Sequence, residues 1–592
     1  MPKKIMLWSL LVITALAVFG HITQAMMAQD GRIEGTEQIE QTEESEQIEE
    51  EEILPFPVLH ITSELDPFIQ YRRFWHDGTL SLSGSNVEYG DFTDVAVGLR
   101  GRGNSTWWDG EDKRPLRIRF EEAQSLLGSE YEAADWILLA DHFDRSLMRN
   151  YAALTFAESL GSMPFTPRPH HVQLYVNGEY MGVYLLTDER DVQPGRLEIA
   201  WDPDPALSGF MIELDARAPQ SGEYDDTFVT VHGMHYDIRY PSRNSRRTQE
   251  HVDYVRGYLE TVSQTIRSGN FGQAMTLIDL DTFVDFYLVQ ELFKNADVHS
   301  LSVFMYITGE GAERRLYMGP VWDFDIAAGN KRDMPLGSNP YYIFAAVVNY
   351  WYRHLMQMPE FREAVTERWN EIRDEQVVQM IADIRARAER YHSEFIRNFG
   401  RHRVMGVRGF GSPAEILAIL TFSGQVEHLA QWFEARSVWL DDYFNDRLPG
   451  HDPMWRLVEY YALERPRQVR IYDEDDAYRM AGVHLISLHN RTMVSILEAA
   501  YLFDLSVHFD VMTRTYTLSR GEMEISYRRG TDFLTVDGER FDLPAPGILE
   551  ILDLVYIPLY RMVEFLGYQA AWAVGEGTLV IRPAEDYEIY GI

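Results

Sequence analysis

The chain has 592 residues, 45% hydrophobic and 13% aromatic, with 92 acidic against 54 basic residues and a formal net charge of −38. The apolar share excludes a disordered chain, and the length allows several cores, roughly three to four domains. The acidic excess disfavours nucleic acid as a partner, because affinity for phosphate backbones needs a basic surface. A nucleotide ligand would need a cation to offset local repulsion.

The chain opens MPKKIMLWSLLVITALAVFGHITQAMMAQD. Lys3 and Lys4 precede an apolar run from Ile5 to Phe19, followed by small residues around Ala25 and Ala28. This layout predicts a secretory signal peptide over 1–28, with an uncleaved anchor as the alternative. No other segment is apolar enough to span a bilayer, so no integral membrane domain is expected after cleavage. Residues 29–54 are low-complexity and strongly acidic, and read as a disordered spacer. The chain has no cysteine, so core packing or metals must stabilise a secreted form.

Short β-rich runs dominate from Val58 to about Leu207: VLHITSE, DVAVGLRG, PLRIRF, WILLAD and HVQLYVNGEYMGVYLLTDE. Asn177-Gly178 reads as a hairpin turn, and SLMRNYAALTFAESLG as a helix capped by Gly161. After the strand GFMIELDA, helices take over. DTFVDFYLVQELFKN carries a broad apolar stripe. The strand-like runs SVFMYIT and RLYMGPVWDFD follow, and 355–447 is mainly helical. LPGHDP marks a composition break at 448–453. Beyond it, residues from Val494 and from Ile557 align at a constant offset of 63, each copy reading strand, amphipathic helix, strand, turn, strand. The expected organisation is therefore a first domain over 55–447 and a two-repeat domain over 466–586.

Three features carry chemistry. In an extended chain Asp323 and Asp325 share a face, and paired oxygen ligands suit Mg²⁺ or Mn²⁺; a solvated strand edge is the plainer reading. GLRGRGNSTWW places Gly98, Gly101 and Gly103 in a basic loop whose backbone can approach phosphate, with Arg100 or Arg102 adding charge; a glycine-dependent hairpin is the alternative. Downstream, KRPLRIRF supplies Lys113, with Arg117 and Arg119 on one strand face, as phosphate-binding cations or a salt-bridged surface. Asp297 sits between the apolar helix and the next strand, where a carboxylate can accept a hydroxyl proton. In chain order these are a glycine loop, a strand cation, a loop aspartate and a metal-binding aspartate, the order used in protein-kinase phosphoryl transfer. A carbohydrate enzyme using Asp323 and Asp325 as acid and base is a weaker competitor.

RGRGNSTW, KRPLRIRF, DHFDRSLMRNYAA, LYVNGEYMGVYLLTDE, GFMIELDA and LYMGPVWDFDIAAGN together resemble the spore coat protein H (CotH) kinase family, over roughly 58–445. The resemblance implies an α+β, divergent protein-kinase-like fold with a β-rich N-lobe and a helical C-lobe. It implies a secreted or surface-associated enzyme that transfers the ATP γ-phosphate to Ser/Thr hydroxyls of a secreted or coat protein. By the same resemblance Asp297 is the catalytic aspartate and Asp323 the metal-binding one, with Asp325 beside it. Arg102 and Gly103 fall in the nucleotide loop. Lys113 is the nucleotide lysine, Arg119 occupies a strand position often filled by lysine, and Asp188 or Glu189 is the acidic partner. Trp322 is placed against the nucleotide base. Where many members carry asparagine five residues after the catalytic aspartate, this chain has Ser302, a poorer metal ligand; a weak or inactive kinase-like scaffold of the envelope or coat is the alternative.

NRTMVSILEAAYLFDLSVHFD and YIPLYRMVEFLGYQAAW resemble the copper amine oxidase N-terminal-like module over about 467–585. His484, His489 and His508 lack ligand-like spacing, so no copper site is expected. Such modules are appended to secreted proteins of Gram-positive bacteria, which implies association with the cell wall.

Overall fold

The computed structural model describes residues 55–584 apart from short stretches, the longer of which are 65–73, 86–89, 108–112, 219–227, 332–339, 408–411, 448–463, 544–547 and 574–577. The expectations of a signal peptide and an acidic spacer fall on residues 1–54, outside the described residues.

Seven strands close a barrel: β1 (Val58–Ser63), β2 (His76–Ser83), β3 (Phe92–Gly101), β4 (Leu116–Gln124), β5 (Ala133–Leu139), β6 (His170–Val176) and β7 (Glu179–Asp188), in the order β1-β2-β3-β4-β5-β7-β6. Strand period 2 decides what fills it. On β4, Leu116, Ile118 and Phe120 point inward, and Arg117 and Arg119 point out. Asn177 and Gly178 both take positive φ, 50° and 81°, as a tight β6–β7 hairpin requires. Closure comes from a parallel pair, with Val58 of β1 opposite Gln173 of β6. Helix α1 (Arg149–Leu160) leaves the barrel between β5 and β6 and ends at Gly161, φ 78°.

A second sheet follows, built from β8 (Phe210–Leu214), β9 (Phe228–Val231), β10 (Met234–Tyr240), β11 (Val303–Thr308) and β12 (Arg315–Met318), in the order β12-β11-β8-β10-β9. One face sends Phe210, Ile212, Tyr236 and Met305 into a helical core. That core holds α2 (Gln249–Ser268), α3 (Leu280–Phe293), α4 (Pro359–Ile372), α5 (Val378–Arg390), α6 (His392–Arg401) and α7 (Phe422–Phe444). The apolar stripe expected of α3 understates its role, since every residue from Thr282 to Phe293 is buried. The other face of the sheet packs Met211, Phe304 and Tyr306 against Ile137, Leu139 and Leu185 of the barrel.

Helix α6 returns to the barrel. Asn398 Oδ1 accepts from Val183 N (3.0 Å) and His402 Nε2 donates to Met181 O (2.7 Å). Gly182 permits this approach: a Cβ there would lie 2.6 Å from Asn398 Oδ1.

The expected strand RLYMGPVWDFD ends early. β12 stops at Met318, Pro320 has no N–H to extend a ladder, and Asp323 takes φ 67°. Asp323 and Asp325 therefore do not share a strand face.

The C-terminal strands form two sheets. One has the order β21-β22-β15-β14-β13-β24-β23, from β13 (Glu464–Tyr472), β14 (Tyr478–Leu488), β15 (Arg491–Ser495), β21 (Leu549–Ile551), β22 (Leu554–Pro558), β23 (Tyr568–Trp572) and β24 (Leu579–Pro583). The other runs β16 (Ser506–Asp510), β17 (Thr515–Arg520), β18 (Met523–Arg528), β19 (Phe533–Val536) and β20 (Glu539–Asp542) in sequence order. The sequence repeat becomes a local two-fold: Val494 of β15 pairs antiparallel with Ile557 of β22, its own counterpart at the offset of 63. The register extends outward, because Ser506↔Ser519 is matched by Gln569↔Arg582. The copies exchange contacts, with α8 (Ile496–Phe503) packing on β22 and α9 (Leu559–Phe565) on β15, while β24 of the second copy pairs with β13. Neither copy could bury this face alone.

The fold is thus mixed α+β. No helix among the described residues is long and apolar enough to cross a membrane.

Candidate active site

A cleft of about 630 Å³ opens where the barrel meets the five-stranded sheet. The β3–β4 connection forms one wall, and the other carries Glu213, Asp215, Asp297, Ser302, Asp323 and Asp325. The site is built from loops held by buried polar contacts.

The DFDIAAGN loop is fixed from two sides. Asn150, near the start of α1, donates from Nδ2 to Asp141 Oδ1 (2.6 Å), and its Oδ1 accepts from Phe324 N (2.7 Å). One amide thus ties a further cleft carboxylate, Asp141, to the backbone between Asp323 and Asp325. Arg149 donates to Ala327 O (2.8 Å) and Ala328 O (3.1 Å), and pairs with Asp144 at 2.5 Å. From below, Ala328 N donates to Phe293 O at the end of α3 (2.6 Å). Asn330 Nδ2 closes the loop on Asp325 O (2.7 Å).

Asp297 lies on a short turn after α3, where Asn295 Oδ1 accepts from its backbone N (3.1 Å). Burial and the charge of Asp323 push its carboxyl up to about 7, against the pull of Arg217 and Lys331. Asp325 is pushed well above the carboxylate range by burial, then by Asp323, Asp141 and Asp297. Its carboxylate accepts no hydrogen bond among the described residues. Ser302, at φ 53°, donates from Oγ to Asp323 Oδ2 (3.2 Å). The bond orients that carboxylate.

The donor set at this end is oxygen only, which suits Mg²⁺ or Mn²⁺. Among the described residues no three acidic or histidine side chains form a ready-made metal cage. Mg²⁺ is usually held by one or two carboxylates and completed by substrate phosphates and water. Asp323 and Asp325 would hold it.

The basic residues of KRPLRIRF take different places. Lys113 is 1% exposed, is not among the residues lining the cleft, and donates to Val183 O on β7 (2.5 Å). Burial pushes its ammonium down to about 7 despite Asp141 and Asp144 nearby. Arg119 is 47% exposed and pairs with Asp135 (2.9 Å) over the Trp75 ring. Among the described residues, Arg117 is the β4 cation that lines the cleft. It contacts Glu189 Oε2 at 3.3 Å and Asp135 at 3.2 Å. Alternation brings Arg117 and Arg119 out together, but only Arg117 faces the end of β7. Burial opposes charge on Glu189, yet Arg117, Arg190, Arg102 and Arg239 hold it below the usual carboxylate range.

Arg102 and Gly103 do line the cleft. Gly101 serves packing: a Cβ there would meet the Trp107 ring at 2.1 Å. Trp322 is 1% exposed, with the Arg190 guanidinium 4.0 Å from its ring centroid, so the protein itself occupies one face offered for a base. Its buried indole N–H finds no acceptor among the described residues.

Sequence reading missed Asp141, Asn150, Arg190, Arg217 and Arg239. Asn150 and Asp141 lie in DHFDRSLMRN, whose polar density before a helix was the available signal. The run ELDAR places Glu213, Asp215 and Arg217 at strand period, and all three line the cleft.

Residues 99–440 match the family described as CotH kinase protein, and residues 475–581 match the copper amine oxidase N-terminal domain. The first match covers more than half the chain, which belongs to the CotH kinase protein family. A comparison with curated proteins gave no match.

Proposed function

We propose that this chain is a phosphotransferase that moves the γ-phosphoryl group of ATP to a hydroxyl of a protein, in a divergent kinase-like arrangement. The observation that carries this reading is one cleft lined by Asp297, Asp323 and Asp325 together with the Arg117–Glu189 ion pair. Arg117, held by Glu189 and Asp135, offers charge to the phosphates, as does Arg102 on the glycine loop. A divalent cation bound there would neutralise the charge that repels the acceptor. Asp297, with its carboxyl at about 7, is poised to take the acceptor proton near neutral pH. Orientation and charge neutralisation supply most of the catalysis in such a site.

Labelled ATP, Mg²⁺ or Mn²⁺ and a generic protein acceptor test the reading: label should enter protein and should stop on adding a chelator. Absence of transfer alongside tight ATP binding would favour the second reading, a catalytically weak scaffold, which Ser302 in place of an amide ligand supports. Among the strand cations, Arg117→Met should weaken ATP binding about 10-fold or more, through loss of a charge-assisted contact. Arg119→Met should change it less than about twofold. Calorimetry on both variants checks this. Equal effects would remove the assignment of Arg117.

The family's name and the apolar N-terminal run support export and a place at the surface or spore coat, where a coat protein would be the acceptor. The C-terminal repeats would then serve association with the wall.

A further inference from the structure

Arg217 is a cleft residue for which neither the ion-pair network nor the assignments above supply a purpose. It sits three residues past β8, and its anchoring is specific. Asp215 Oδ1 accepts from the Arg217 backbone N (2.8 Å) and from its Nε (3.3 Å). Asp215 N in turn donates to His235 O on β10 (3.0 Å), and Ala216 N donates to Ser300 O (2.8 Å), beside the turn that carries Asp297. The arginine is therefore tied to the same framework as the acceptor-side carboxylate.

What this anchoring leaves over is informative. With Nε engaged, the two terminal nitrogens of Arg217 donate to no group among the described residues. The side chain is 37% exposed and lines the cleft. Its positive charge acts on both Asp297 and Asp323. A guanidinium fixed through Nε presents its remaining pair of NH₂ groups as a planar fork, which matches two oxygens of one phosphoryl group.

We propose that Arg217 is a catalytic residue that binds the equatorial oxygens of the γ-phosphoryl group as it passes from ATP to the acceptor; this rests on the phosphotransferase reading. In that step the acceptor oxygen forms a bond to the γ-phosphorus while the bond from phosphorus to the β–γ bridging oxygen breaks. ADP leaves with that electron pair, and the hydroxyl proton goes to the Asp297 carboxylate. Charge is spread over three equatorial oxygens in a loose transition state, where an arginine acts most strongly. Arg117, held by Glu189 on the barrel wall of the cleft, would meet the phosphates already in the ground state, so Arg217 is expected to contribute to the transfer and little to nucleotide affinity.

The test compares binding of ADP with binding of ADP plus aluminium fluoride, both with Mg²⁺, by calorimetry on the full chain, alongside transfer kinetics. The fluoride complex mimics the planar phosphoryl group, and the unmodified protein should bind it about 100-fold or more tightly than ADP alone. Arg217→Met should leave ADP affinity within about twofold, remove most of that tightening and lower kcat by about 10²–10³. Arg217→Lys should fall between, and thermal unfolding of both should match the unmodified chain. Full tightening with unchanged kcat in Arg217→Met overturns the proposal. So does a rise confined to the acceptor KM, which would make Arg217 an acceptor-docking residue. If the unmodified protein binds ADP, gains nothing from aluminium fluoride and transfers no label, the phosphotransferase reading itself fails.

Discussion

Asp297→Asn is expected to lower kcat for transfer by about 10²–10⁴ while leaving ATP affinity near that of the unmodified protein. The amide is isosteric and keeps the turn that Asn295 holds through the backbone N of residue 297, but it cannot take the acceptor proton. The same substitution is expected to stabilise the ligand-free protein, and the sign follows from the raised carboxyl. A carboxylate whose folded value is about 7 against an ordinary value near 3.9 is penalised by folding whenever it is ionised. Below the unfolded value both states are protonated and the penalty is absent. It grows as pH rises from about 4 to about 7, and is complete above the folded value. Replacing the group with a neutral amide removes it, on the order of 4 kcal/mol above pH 7. The gain should vanish near pH 4. Denaturant unfolding of both proteins across this range checks the sign, and a loss of stability at pH 8 would refute the repulsion account. Asp323→Asn is a separable control: asparagine tolerates the left-handed backbone at φ 67°, so its defect should lie in metal-dependent ATP binding as well as turnover.

Features set by neighbouring residues are legible in a sequence, and features set by distant packing are not. The barrel strands were legible because alternation is local: Leu116, Ile118 and Phe120 separate cleanly from Arg117 and Arg119. The hairpin at Asn177-Gly178 and the 63-residue repeat were legible for the same reason, since each is written in adjacent residues or in self-similarity. Closure of the barrel was not, because pairing of Val58 with Gln173 depends on which edges remain after the intervening strands have packed. The site shows the same division. Asp297, Asp323 and Asp325 are carboxylates at the ends of apolar runs, a contrast visible in one dimension. Lys113 and Arg117 lie four residues apart on the same basic stretch, and nothing local says which meets Glu189. Lys113 precedes Pro115 and turns under the barrel to Val183 O, whereas Arg117 already belongs to the strand that borders β5 and reaches β7. The two aspartates were expected to converge along a strand. They reach the same cleft through a loop whose shape is imposed by α1, and that imposition can be tested directly.

Arg149→Met is expected to destabilise the N-terminal domain by about 2–4 kcal/mol, from loss of a buried ion pair together with the donor to a buried carbonyl. Arg149 is 1% exposed and its guanidinium serves four groups: the Asp144 carboxylate, Ser146 Oγ, Ala327 O and Ala328 O. Asp144 would retain the hydroxyl of Ser146 and the backbone N–H groups of residues 146, 148 and 149, so its charge would be weakened but not stranded. Ala328 O would lose the donor supplied by Arg149, about 1–3 kcal/mol by general experience, whereas Ala327 O would keep the backbone N–H of Asn330. Methionine fills much of the volume, which keeps cavity effects small. The consequence for the site follows from geometry, because Ala327 and Ala328 close the loop that begins at Asp323. Freed from Arg149, that loop loses two of its ties to α1 and keeps the Asn150, Asn330 and Ser302 contacts and the bond from Ala328 N to Phe293 O. Metal-dependent ATP affinity should then fall about 10-fold or more under conditions where the variant is still folded. Arg119→Met, which removes a half-exposed pair, should cost less than about 1 kcal/mol and leave ATP affinity unchanged. Urea unfolding followed by tryptophan fluorescence, read on the transition that ATP and Mg²⁺ shift, measures the first effect, and calorimetry the second. A destabilised Arg149→Met that binds ATP normally would mean that the aspartate loop holds its shape without α1.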